Sequence, residues 1–87
     1  TTGSPYVILV NHTAAVTLTL PAAPFDGQAF KIKDASGDAL TNNITVDAGS
    51  GETIDGSQTA LINTDYGALE LVYNATLDEW FSLAFVN

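Results

Sequence analysis

The chain contains no cysteine, which excludes disulfides and any thiolate-bound zinc or iron–sulfur centre. That absence matters for 87 residues, because a domain of this size buries only about 60% of its unfolded surface and usually needs a staple. Association with other chains, or a cation held by oxygen ligands, is what remains. Arginine is missing as well, and two lysines face ten acids for a net charge of −8. Such a surface repels phosphate backbones and anionic headgroups, so nucleic-acid binding is excluded as a role. No apolar run approaches the ~18 residues of a membrane span, and "YVILV" is too short and wrongly flanked for a signal peptide. No membrane insertion is expected. Helical spacing is sustained nowhere over a window of eleven residues or more.

What the chain does have is alternation. An apolar content of 46% is enough for a folded core, and the apolar residues recur at every second position. Val16, Leu18 and Leu20 share one face, as do Phe30 and Ile32, Ile44 and Val46, and Leu69, Leu71 and Tyr73, each set separated by polar residues. This is the pattern of half-buried strands, in segments rich in the threonine, valine, isoleucine and aromatics that a pleated surface prefers. Between them stand "PFDGQ", "DASGDA", "TNN", "DAGSG", "IDGS", "TDYG" and "YNATLDE", turns shaped by glycine and by Asp and Asn bonding their own backbone. Short strands at this spacing predict one all-β domain over residues 1–87, a small antiparallel β-sandwich or barrel of about six to eight strands. "YVILV" and "WFSLAFV" are apolar on both faces, so each is expected to pack on the core and also against a partner subunit. The chain begins "TTGSPYVILV" and runs directly into a strand, which suggests a module of a longer polypeptide.

Residues with chemical potential each meet a plainer reading. Asp47, Glu52 and Asp55 fall within nine residues beside glycines, the weak outline of a cation loop, yet the EF-hand and β-roll spacings are absent. The plainer reading is a corner pinned into the core by Ile54. Asp26, Asp34 and Asp38 read as turn residues bonding nearby amides. His12 is the sole histidine and would have to serve Ser36 or Ser57 as base, but no GxSxG elbow is present. In "VNHTA" it reads as the solvated tip of a hairpin, leaving no catalytic set. Asp78 and Glu79 are adjacent and would point to opposite faces of a strand, the wrong geometry for paired carboxylates. Asn11, Asn43 and Asn74 open N-x-T triplets that matter only in a eukaryotic secretory pathway. Among the aromatics, Tyr6, Tyr66, Trp80 and Phe81 are the ligand or interface candidates; Tyr66 is expected to be exposed, and Trp80 to pack one face on the core. Lys31 and Lys33 share a strand face and can reach Glu70 across the sheet.

The order of these signals carries a resemblance. "TLP", then "GQAFKIKDASGDALTNNITV", "IDG", "YGALELVY" and a terminal tryptophan, over Tyr6 to Phe85, resemble a module of bacteriophage tail-fibre, spike and other virion structural proteins. The resemblance implies a trimeric, non-enzymatic virion component without a cofactor, used in assembly or host attachment. Its expected partners are further copies of itself, other virion proteins, and a host-surface glycan or protein. Two alternatives stand beside it: a capsid decoration or connector protein, and a free carbohydrate-binding module.

Overall fold

A computed structural model describes residues 6–22, 24–49 and 51–86, so Ser50 of the "DAGSG" turn lies outside it. Seven strands occur among the described residues: β1 (Tyr6–Val10), β2 (Val16–Thr19), β3 (Ala29–Asp34), β4 (Ile44–Asp47), β5 (Thr59–Ile62), β6 (Ala68–Asn74) and β7 (Glu79–Val86). They form a four-stranded sheet in the order β1-β3-β6-β7 and a three-stranded sheet in the order β2-β4-β5. The all-β expectation holds, but the sheets are mixed rather than antiparallel. β1 runs parallel to β3, and β2 runs parallel to β4.

This correction has a simple cause. "VNHTA" lacks the glycine-containing dipeptide that closes a tight hairpin, and instead of turning back it carries the chain from one sheet to the other. The segment between β3 and β4 makes the same crossing. The second strand–crossing–strand unit therefore lies alongside the first in the same direction, and parallel pairing results. β4–β5, β3–β6 and β6–β7 are antiparallel.

The period-2 pattern determines which side chains meet between the sheets. Phe30, Ile32, Leu69, Leu71, Tyr73 and Trp80 point inward from the larger sheet, and Ile44, Val46 and Ile62 from the smaller, in one continuous buried cluster. Leu20 is buried, while Val16 and Leu18 are half-buried on the edge strand β2. Trp80 is the correction among the interface candidates: it is fully buried, with ring centroids 5.7 Å from Phe30 and 5.3 Å from Tyr73. It pairs with Tyr73 across β6–β7, and Ile54 bridges to it from the other side, so it has no face left for a ligand.

Gly67 lies in the connection from β5 to β6 where the chain passes between neighbours. A Cβ there would come within 2.8 Å of the Thr64 carbonyl, 2.9 Å of the Val86 carbonyl and 2.9 Å of Ile62 Cγ2. Two of these contacts are main chain and cannot swing away. Gly67→Ala is expected to lower stability by about 1–3 kcal/mol in urea unfolding; a variant as stable as the parent would show that β6 is not held at this distance.

Candidate functional site

The densest polar arrangement lies at the end of β3. Asp34 is fully buried, and its carboxylate accepts main-chain N–H bonds from Ser36 (3.1 Å), Gly37 (3.1 Å), Asp38 (2.9 Å), Ala39 (2.9 Å) and Tyr66 (3.0 Å), with the Ser36 hydroxyl at 2.9 Å. The expected turn role of Asp34 is therefore present. It extends to the amide of Tyr66, 32 residues away. Burial alone would raise the Asp34 pKa, but the bonds from Tyr66, Ala39, Ser36 and Asp38 outweigh it and hold the carboxyl well below its ordinary value.

His12 joins this cluster and is buried, which corrects the reading of a solvated hairpin tip. Its partners come from the distant β3–β4 segment: Nε2 lies 2.7 Å from the Asn42 carbonyl and Nδ1 lies 3.0 Å from Ser36 Oγ. Ser36, His12 and Asp34 thus meet, but with the serine in the middle. In a nucleophilic triad the histidine stands between serine and aspartate and takes the hydroxyl proton. Here Nε2 must carry hydrogen to bond a carbonyl, and the Ser36 hydroxyl donates to Asp34 Oδ1 while His12 Nδ1 lies 3.0 Å from the serine oxygen and 3.8 Å from that carboxylate oxygen. No cleft opens onto the cluster among the described residues. The geometry holds a crossing segment in place.

Tyr66 is exposed, as expected. Its backbone sits at φ 60°, a costly conformation for a bulky residue, and three contacts hold it there. Its amide bonds Asp34, its carbonyl accepts from Lys33 Nζ, and its ring lies against Gly37, where a Cβ would come within 2.5 Å of it. Lys33 Nζ also lies 5.8 Å from the ring centroid.

The opening acids of the cation loop go separate ways. Asp47 accepts from the Gly49 amide (2.9 Å) and Gln58 Nε2 (2.7 Å), which lower its pKa in that order. Asp55 bonds the amide and hydroxyl of Ser82. Among the described residues Glu52, half-buried, has one carboxylate oxygen without a partner, and no three acids or histidines converge on a metal position. The corner itself is as expected: Ile54 is buried, and Asp55 and Gly56 bend at φ 49° and 85°. Glu79 bonds Thr53 and Gly56 from the neighbouring strand. Tyr73 donates to Asp78, and that bond, followed by burial, pushes its hydroxyl up to about 12.

The remaining candidates lie at the margins of the larger sheet. β1 and β7 are its two outermost strands, and both expose apolar side chains: Tyr6 (68%), Val7 and Leu9 (66%) on one, Leu83 (63%), Phe85 and Val86 on the other. Phe81 is half-buried. The 53–57 corner covers β7 only as far as Ser82.

Two outcomes test the Asp34 cluster. Asp34→Asn turns one accepting oxygen into a donor facing main-chain N–H groups, and a loss of about 3 kcal/mol or more is expected. The folded-state pKa of Asp34 lies below its ordinary 3.8, so its stabilisation is complete above that value and is lost as pH falls below it. Urea titrations from neutral pH to below pH ~4 should show a steep acid decline in the parent and a shallower one in Asp34→Asn. Parallel profiles would remove Asp34 from the acid transition. No protein-family model matches the chain, and no curated protein sequence matches it.

Proposed function

We propose that this chain is a non-enzymatic structural or adhesion module of a bacteriophage virion, working as a homotrimer in a tail fibre, tailspike, spike or head fibre. The observation that carries the reading is the exposure of apolar side chains on both outermost strands of one sheet, Tyr6, Val7 and Leu9 on β1 and Leu83, Phe85 and Val86 on β7. Exposed apolar edges on a folded domain mark a surface meant to be covered. A small chain without disulfides gains most from such cover, since association stabilises the folded state by mass action. The ordered succession of "TLP", "IKDASG", "IDG" and "YGALELVY" supports the virion assignment through the resemblance described above. The serine-centred arrangement of Asp34, Ser36 and His12, with the acid and the histidine buried and the serine half-buried, supports a role without catalysis.

Sedimentation equilibrium at micromolar concentration should return three times the 9.1 kDa chain mass. A stable monomer under those conditions would remove the trimer and, with it, the main support for the reading.

A further inference from the structure

The two sheets turn very different outer faces to their surroundings. On the smaller sheet the outward positions are Thr17, Thr19, Thr45, Asp47 and Thr59, interrupted by Leu61. That face is suited to water. On the larger sheet the register puts Val7 and Leu9 outward on β1, and Val72, Phe81 and Val86 outward on β6 and β7. Between these two apolar flanks run Lys31, Lys33 and Glu70.

Charge separates this face from the rest of the molecule. Both of the chain's lysines stand on it, with the carboxylate of Glu70 3.9 Å from Lys31 Nζ. Glu79, at the far end of the same face, is bonded to Thr53 and Gly56. The other eight of the ten acids lie in turns, on the smaller sheet or, for Asp34, inside. Copies carrying a net charge of −8 repel one another least when this face is turned inward and the acids are left outside. Lys31 and Glu70 can then pair between copies as well as within one.

We infer that the outer face of the β1-β3-β6-β7 sheet is the surface by which copies of this chain bind one another, with Lys31, Lys33 and Glu70 forming a charged row inside an otherwise apolar contact. The occupant is a second copy of the chain. This inference rests on the homo-oligomeric reading above and goes further by naming the face.

The test compares the parent with Leu9→Glu and Val86→Glu, which alter outward, exposed positions on the two flanks, and with Leu77→Glu, which alters an equally exposed leucine in the β6–β7 turn. Sedimentation should show the first two variants dissociating, with the dissociation constant raised about 30-fold or more, and Leu77→Glu associating as the parent does. A second measurement needs no variant: acetylation of Lys31, the more exposed of the two lysines, read by mass spectrometry, should be slow in the oligomer and fast after dilution to monomer. An oligomer that tolerates Leu9→Glu and Val86→Glu, or that acetylates at the monomer rate, overturns the choice of face while leaving oligomerisation standing. A parent that stays monomeric overturns both.

Discussion

A single carboxylate organises the connections of this fold. Asp34 gathers five main-chain amides and a hydroxyl, and they belong to two segments that leave the larger sheet at the same end. One is the start of the β3–β4 crossing; the other precedes β6. A charge buried this deeply is tolerable only because so many donors surround it. The same donors would be stranded without it, so neither side of the arrangement can change alone. His12 adds the third connection by tying the β1–β2 crossing to Asn42. Three passages of chain between the sheets are thereby fixed in a domain that has no disulfide to do so.

This polar cluster and the apolar core divide the task. The core sets how the sheets lie face to face, with Trp80 between Phe30 and Tyr73 and aliphatic residues filling the rest. Such packing is non-directional and would accept several strand orders. The Asp34 bonds are directional, and they discriminate among those orders by demanding that particular amides arrive at one point. Tyr66 shows the demand in its backbone, held at positive φ so that its amide can reach Asp34.

Much of this was legible in the sequence, because alternation states which face a side chain occupies. Phe30, Ile32, Ile44, Val46, Leu69 and Leu71 are buried where the pattern puts them, and Ile54 pins its corner. Alternation does not state which strand is the neighbour, and so the parallel pairs β1–β3 and β2–β4 were not legible from it. His12 was misread for a related reason: its partners Ser36 and Asn42 are 24 and 30 residues away, and nothing within "VNHTA" reveals them. Asp34 was half legible, since "DASG" announces local amide bonding but not the reach to Tyr66. At the surface, the doubly apolar composition of "YVILV" and "WFSLAFV" announced apolar edges, and the alternation of Lys31 and Lys33 announced their reach to Glu70, whereas the place of that charged row between the two edges became visible only with the strand order.

The parallel pairing also orders events in time. Among the described residues β1 pairs only with β3, and β2 only with β4, so β1 waits for the chain's second crossing between the sheets and β2 for its third. Synthesis proceeds from the N-terminus, and non-local pairing bears its loop-closure cost before any contact rewards it. The apolar strand "YVILV" is therefore the first described strand to be made, yet it has no partner until the third. The nascent chain carries this apolar segment unpaired through the making of β2 and until β3 has followed it.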